Sequence, residues 1–341
     1  MRPFPILSSV LSVVVVAGCG SGLTVSDRSD FGTEKESVRA YCSGALVELR
    51  LSSSNPFIDD QKVEGTSSDE EIFTVESSED GLITLRTIKA GKAELVLKQD
   101  GDVVDSRPLQ VRDPARITLS LDIKAFEEDD IVPESVVAEP PLRVLVGRNA
   151  RLAVHVFAAD DKELFGQSVT GVAPVDTAGW NAGLLFDGPQ SFIELAPKPG
   201  ALDTLVQVNV GGLLNVDVEA IASLETELER IVLDEVNPGY RPQGRRSVVL
   251  ARGEDAQGRL LLGAPGWALE GSDGGIGEAV AYDVKWFESH ELVARIGDVE
   301  ARRQVDADPE TLGVVRVGDS CASAGFGLPL VLLGLLRRRR G

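Results

Sequence analysis

Histidines are the side chains best suited to proton transfer near neutral pH, and this chain has two of them. His155 lies between two valines in a run that alternates apolar and polar residues, so we expect it on a strand, in a structural or surface position. His290 precedes a glutamate but lacks the second histidine of a His-Glu-x-x-His zinc site. Ser320 has no neighbouring segment that could serve as an oxyanion loop. We therefore predict that the chain is not an enzyme; a hydrolase with a site assembled across domains is the alternative.

Three acidic segments could supply oxygen ligands to calcium, which takes about six to eight of them. They are residues 59–60, 69–71 and 127–130. None of them follows the spacing Asp-x-Asp-x-Asp-Gly of a calcium loop. Solvated acidic loops are therefore the favoured interpretation, and no cofactor is predicted, with calcium as the one alternative.

The first cysteine follows an apolar run and two small residues, in the order Val16-Ala17-Gly18-Cys19. The apolar run has the length of a secretory signal and is too short to span a bilayer, and Arg2 supplies the positive charge that precedes such a run. The four residues resemble the lipobox of bacterial lipoproteins. The resemblance implies that Cys19 becomes the mature N-terminus and carries acyl chains, so that the chain reaches the membrane through a lipid anchor. The residue after it, Gly20, is not the aspartate of inner-membrane retention, which favours the outer membrane. An ordinary signal peptide with an unmodified Cys19 is the alternative.

Another cysteine, Cys321, precedes an apolar run at residues 322–336 and four arginines at residues 337–340. The run has 15 residues and contains Pro329, whereas a spanning helix needs about 20. These features resemble the C-terminal sorting tail of myxobacterial surface proteins, the MYXO-CTERM type. The resemblance implies that Cys321 is the processing residue, that the arginines stay cytoplasmic, and that export and sorting machinery acts on the chain. A retained transmembrane anchor is the alternative.

The part of the chain between these two ends is strongly acidic. The formal net charge is −20, and Arg2 and residues 337–340 contribute five positive charges at the ends, which leaves −25 between them. Such a surface repels nucleic acid, so no nucleic-acid partner is expected. Cys42 is the one cysteine in this part, so a disulfide within it is ruled out. We expect Cys42 to be a small buried residue.

Short alternating runs separated by turn signals indicate β-structure throughout this acidic part. Asp100-Gly101 predicts a two-residue type I′ hairpin that sets Leu97 opposite Val104. Around the glycines of Gly211-Gly212-Leu213, a three-residue loop sets Val208 opposite another valine, whereas a two-residue turn sets it opposite an asparagine. The alternation therefore predicts the three-residue loop.

A strand, a polar turn and a tryptophan follow each other within residues 247–267. The turn is Asp255-Ala256-Gln257-Gly258, and Trp267 lies beyond the next apolar run. This segment resembles the central hairpin of bacterial immunoglobulin-like domains. A weaker copy without the tryptophan lies at residues 154–166, and residues 81–104 resemble the same family. The resemblance implies small β-sandwiches, and the spacing of the turn signals agrees with that size.

Together these patterns predict an all-β chain of two or three tandem immunoglobulin-like β-sandwiches, with a flexible N-terminal tether and a short apolar C-terminal tail. The predicted segments are a lipoprotein signal peptide (1–18), the tether (19–36), β-sandwiches at 37–113, 114–225 and 226–308, a spacer (309–320) and the sorting or anchor tail (321–341).

The predicted function is that of an envelope-anchored surface protein that acts in adhesion, display or scaffolding at the cell outer membrane or cell surface. Its ligand would be a protein or a polysaccharide, which the sequence does not identify. A calcium-dependent ligand- or carbohydrate-binding surface module is the alternative from another class.

Overall fold

The structure is a computed structural model, and it describes residues 23–27, 40–121, 137–187, 190–241, 244–269, 272–276, 279–284 and 290–305. These residues form 26 β-strands, 3-10 turns at Asp60–Lys62 and Glu225–Glu227, and no α-helix. The strands form five sheets that build three sandwiches in tandem, and the ten-stranded sheet is shared by the first two sandwiches. The predicted fold class, an all-β chain of tandem β-sandwiches, is therefore confirmed. Within the ranges given above, no helix has the length and apolar character needed to cross a membrane.

The first sandwich packs the sheet β1–β3–β6–β5 against the sheet β2–β8–β7–β4. Along β3, Val47, Leu49 and Leu51 are buried and alternate with polar residues, the pattern of a strand with one face on a core. The strands of this sandwich are β1 (Leu23–Asp27), β2 (Ala40–Cys42), β3 (Leu46–Ser53), β4 (Glu64–Ser67), β5 (Phe73–Glu79), β6 (Leu82–Thr87), β7 (Gly91–Gln99) and β8 (Asp102–Arg112).

The second sandwich packs the strands β10, β9, β12, β13, β16 and β15 against the sheet β11–β18–β17–β14. Its core contains Trp180, whose Nε1–H donates to the carbonyl oxygen of Leu202 at 2.7 Å. The strands are β9 (Arg116–Leu121), β10 (Val137–Ala138), β11 (Leu142–Leu145), β12 (Ala150–Phe157), β13 (Glu163–Phe165), β14 (Val169–Pro174), β15 (Trp180–Asp187), β16 (Gln190–Pro197), β17 (Thr204–Val210) and β18 (Leu214–Ser223).

The third sandwich packs β19, β20, β21 and β24 against the sheet β23–β22–β25–β26. Trp267 is buried in its core with Leu292 and Ile296. The strands are β19 (Arg230–Arg241), β20 (Gly244–Glu254), β21 (Leu260–Leu261), β22 (Gly266–Leu269), β23 (Ser272–Ile276), β24 (Ala279–Val284), β25 (His290–Ile296) and β26 (Val299–Val305).

The turn between β20 and β21 is organised by one carboxylate. Asp255 accepts hydrogen bonds from the backbone N–H groups of Gln257 at 2.9 Å and Arg259 at 2.8 Å. Burial alone would raise the pKa of Asp255, but these N–H groups and the Arg259 guanidinium outweigh it and lower the pKa. Gly258 has a φ of +75°, which explains why the Asp-x-x-Gly pattern ends in glycine.

The three-residue loop between β17 and β18 has the predicted geometry. Val208 pairs with Val216, and Gly211 and Gly212 have φ values of +60° and +70°. The glycines take the left-handed conformation that the turn requires and that other residues adopt at a cost.

The hairpin between β7 and β8 has the predicted turn but not the predicted register. Asp100 and Gly101 both have positive φ, as a type I′ turn requires. Leu97, however, pairs with Asp105, because Val104 is an extra residue in β8. This bulge turns Val104 towards the core while Val103 stays exposed at the hairpin tip.

Part of the predicted flexible tether, residues 19–36, is a strand. Residues 23–27 form β1, which pairs antiparallel with β3, with Leu23 opposite Ser53. Leu23 is buried, and its carbonyl oxygen accepts from Nη2 of Arg107 at 2.8 Å. The alternation of Leu23 and Val25 with polar residues is the pattern of an edge strand, within a stretch that is otherwise polar.

Candidate functional site

His155 is the centre of a line of three polar side chains on the second sandwich. Its Nε2 lies 2.9 Å from Oγ of Ser120 on β9, and its Nδ1 lies 2.8 Å from Oε1 of Glu163 on β13. An ionised carboxylate can only accept, so Nδ1 carries a hydrogen and donates to Glu163. In the neutral ring Nε2 then accepts from the Ser120 hydroxyl. The order hydroxyl, imidazole, carboxylate is that of a hydrolytic triad.

The surroundings of Ser120 do not fit a nucleophile. Ser120 is 5% exposed, and it pairs with Val137 on one side and Ala153 on the other. Its backbone N–H is therefore directed into the sheet and is not positioned as an oxyanion donor. The hydrogen bonds among the three side chains connect β13 to β9 and β12. His155 therefore has the structural role that the sequence predicts.

Two open grooves flank the second sandwich. One, of about 490 Å³, is lined by Arg148, Glu194 and Lys198 among others, and the other, of about 430 Å³, by Pro141 and Arg259 among others. Ser120, His155 and Glu163 line neither of them. These grooves therefore do not supply the cleft that the hydrolase alternative requires.

Sequence reasoning identified His155 but missed its two partners. Ser120 is 35 positions away in sequence, and only the pairing of β9 with β12 brings it close. Glu163 returns to the histidine through the hairpin at Asp161, which has a φ of +61°. The Asp160-Asp161 turn signal in the weaker copy of the hairpin was the one clue to the second partner.

In each of the two described acidic segments, one carboxylate pairs with a lysine. Asp59 pairs with Lys62 at 3.2 Å, and Glu71 pairs with Lys89, which lowers the pKa of Glu71. In the ranges covered by the structure, no group of three or more His, Cys, Asp or Glu side chains is placed to hold a metal ion. Residues 127–130 lie outside these ranges. Calcium binding stays the alternative to the prediction of no cofactor, and an unchanged melting temperature in millimolar calcium would exclude it.

Cys42 is a free, buried thiol, as expected. Burial raises its pKa to about 12, against a smaller opposite effect from Ser168. A thiol with such a pKa is unreactive at neutral pH, so Cys42 packs as a small apolar residue. Cys19 and Cys321 lie outside the described residues, as does the side chain of His290.

The first junction joins the first and second sandwiches through one continuous sheet. β13 pairs parallel with β2, so ten strands of the two sandwiches form a single sheet. Leu46 and Gln167 exchange two backbone hydrogen bonds of 3.2 and 2.8 Å. Gly44 and Gly211 are so close that a Cβ on Gly211 would lie 2.2 Å from the carbonyl oxygen of Ser43.

The second junction joins the second and third sandwiches, again by the backbone. The N–H of Leu145 donates to Leu262 at 2.8 Å, and the N–H of Leu262 donates to Arg143 at 2.7 Å. The cores interlock, because Leu145 packs into the core of the third sandwich and Leu262 into that of the second. Arg143 also pairs with Glu227 at 3.1 Å.

No protein-family model and no curated protein matches the chain. Among solved structures, the surface layer protein SbsC, domains 4–9, is 13% identical with a TM-score of 0.34, and covers 83% of this chain. The Escherichia coli adhesin FdeC is 12% identical with a TM-score of 0.24 over 84% of this chain and 97% of its own. The Yersinia pseudotuberculosis adhesin InvE is 16% identical with a TM-score of 0.23 over 70% of each chain. The present chain thus spans less than half, 46%, of the length of the SbsC structure, domains 4–9. With TM-scores this low, none of these similarities carries an inference about function.

Proposed function

We propose that the chain is an exported, envelope-anchored, non-enzymatic surface protein whose three sandwiches form a stiff spacer for adhesion, display or scaffolding. The observation that carries this proposal is that both junctions are made of backbone hydrogen bonds. Domains joined by flexible linkers move independently, whereas domains that share a sheet or a core move together. A spacer has to hold its far end at a fixed place, and such junctions meet that requirement.

Solution scattering tests the stiffness. A short Gly-Ser insertion between Asp113 and Pro114 lengthens the covalent link at the first junction but leaves the pairing of β13 with β2 in place. We expect the same maximum dimension for the wild type and this variant, because the sheet, and not the link, holds the sandwiches together. A maximum dimension clearly larger in the variant than in the wild type would contradict the spacer. A flexible scattering profile in either protein would contradict it as well.

The anchor is proposed at Cys19, with Cys321 as the processing residue of the C-terminal tail. Radiolabelled palmitate tests the first assignment. We expect label on the wild type and none on Cys19→Ser, with Cys42→Ser as a matched control that keeps the label. No label on the wild type, or full label on Cys19→Ser, would refute lipidation at this residue.

The surface role is tested on intact cells. We expect added protease to degrade the chain without lysis, and cell-to-cell or cell-to-surface attachment to fall when the Cys19→Ser variant replaces the wild type at equal expression. Unchanged attachment in cells that lack the chain altogether would remove adhesion and leave display or scaffolding. The ligand in this proposal is a protein or a polysaccharide.

A further inference from the structure

Three loops of the first sandwich lie together at the end opposite the first junction, and we call this surface the loop end. It consists of residues 54–63, 80–81 and 99–103. The backbone N–H of Asp59 donates to the side chain of Gln99 at 2.9 Å, and the N–H of Leu51 donates to the carbonyl oxygen of Gly81 at 2.7 Å. The first contact joins two of the loops, and the second fixes the turn at residues 80–81 to β3 beside them.

The loop end presents an aromatic side chain to solvent on a hydrogen-bonded turn. Phe57 is 87% exposed. Its N–H donates to Oδ1 of Asn55 at 3.0 Å, and the N–H of Ile58 donates to the carbonyl oxygen of Asn55 at 3.0 Å. Pro56 further restricts the turn, and Ile58 packs on the core. Val103, at 62% exposure, is the second large apolar side chain on this surface.

The chain enters the first sandwich at this same end. Leu23 is the first residue of β1 and pairs with Ser53, the last residue of β3. Cys19 precedes Leu23 by four residues, which span at most about 14 Å. The first junction lies at the other end of β3, where Leu46 meets Gln167. An acyl chain on Cys19 would therefore hold the loop end, and not the junction end, against the membrane.

We propose that the loop end is a membrane-contact surface and that Phe57 and Val103 enter the headgroup region of the bilayer that holds the acylated Cys19. This inference rests on the proposed lipidation. Apolar side chains at the membrane surface are stabilised by leaving water, and phenylalanine is among the residues that interfacial segments bury there. The contact places the second and third sandwiches away from the membrane, as a spacer requires.

The charge of the loop end selects the lipid. These loops carry one lysine, Lys62, which pairs with Asp59 at 3.2 Å. They carry five aspartates, Asp59, Asp60, Asp80, Asp100 and Asp102. Like charges repel, so the surface suits a zwitterionic membrane and is disfavoured by anionic headgroups. Contact should therefore weaken as anionic lipid is added, and this effect should shrink in high salt.

Quenching by brominated lipids tests the contact. Full-length acylated protein is inserted into phosphatidylcholine vesicles with brominated acyl chains, as wild type, Phe57→Trp and Leu224→Trp. Leu224 is 57% exposed and lies beside the second junction, so it is the matched control. The native tryptophans are the same in all three proteins, so the difference from wild type reports the new residue. We expect the fluorescence of the new tryptophan at position 57 to fall about twofold or more on insertion. The fluorescence of the new tryptophan at position 224 should stay constant. Phosphatidylglycerol should reduce the quenching at position 57.

The outcomes separate this inference from the lipidation on which it rests. Wild-type protein that fails to float with vesicles would overturn both. Protein that floats through its acyl chains while position 57 is no more quenched than position 224 would overturn the membrane contact alone. Quenching at position 57 that persists in Cys19→Ser bound to the same vesicles would support the contact independently of the anchor.

Discussion

The close approach of two backbones at the first junction gives a sharp test of the structure. Gly211 and Gly212 are neighbours in one loop and both have positive φ, +60° and +70°. A Cβ on Gly211 would lie 2.2 Å from the carbonyl oxygen of Ser43, whereas a Cβ on Gly212 would have nothing within 4 Å. The two substitutions to alanine therefore share the backbone strain and differ in the clash.

The magnitudes follow from this difference. A non-glycine residue in the left-handed region costs about 1–2 kcal/mol, and this is the whole loss expected for Gly212→Ala. Forcing an extra carbon against a fixed backbone adds about 1–3 kcal/mol. For Gly211→Ala we expect a total loss of about 2–5 kcal/mol in the free energy of unfolding.

Urea unfolding followed by tryptophan fluorescence measures both losses, since Trp180 reports on the second sandwich. Limited proteolysis gives a second reading: the first junction should become cleavable in Gly211→Ala and stay protected in Gly212→Ala. Equal losses in the two variants would refute the close packing of the first and second sandwiches at Ser43.

Three further predictions concern buried side chains. The hydroxyl of the buried Thr87 accepts a hydrogen bond from the N–H of Ala45 at 2.8 Å, so Thr87→Val should lower the free energy of unfolding, measured in urea, by about 1–3 kcal/mol. The control variant Thr87→Ser keeps the hydroxyl and should keep most of the wild-type stability. Burial raises the pKa of Cys42 to about 12, so in a variant with Cys19 and Cys321 changed to serine, Ellman's reagent at pH 8 should label Cys42 only after unfolding. Because the thiol ionises more readily in the unfolded chain, the free energy of unfolding should fall as the pH rises above 9.0. The variant Cys42→Ala should lose that dependence on pH. The pKa of Asp255 is lowered in the fold, so its stabilising effect is complete above its ordinary value of 3.8 and is lost as the pH falls below it. Asp255→Asn should flatten this acid limb of the stability curve, and an unchanged limb would contradict the turn.

Local geometry could be predicted from the sequence where alternation and turn residues act together. The loop at Gly211 follows from the valines of β17 and β18, which allow only one register with both apolar faces inward. At Asp100 the turn was right and the register wrong, because the bulge at Val104 depends on packing against the opposite sheet.

Contacts between distant segments were beyond the sequence. β13 joins β2 across the first junction, and both are three-residue strands without a periodic pattern. For the same reason Ser120 and Glu163 were not assigned to His155, since each arrives from a different strand. The two proposed modification sites carry local motifs, so the sequence predicts Cys19 and Cys321 without reference to the fold.

The sheet that crosses the first junction limits how the chain can be divided. β2 lies between β8 and β13, and Ala40, Tyr41 and Cys42 are all buried there. A fragment that stops at Asp113 would lack β13 and expose one edge of β2. Free strand edges recruit strands from other molecules, so such a fragment should aggregate or form edge-paired dimers. The smallest soluble piece that contains the first sandwich should therefore include the second.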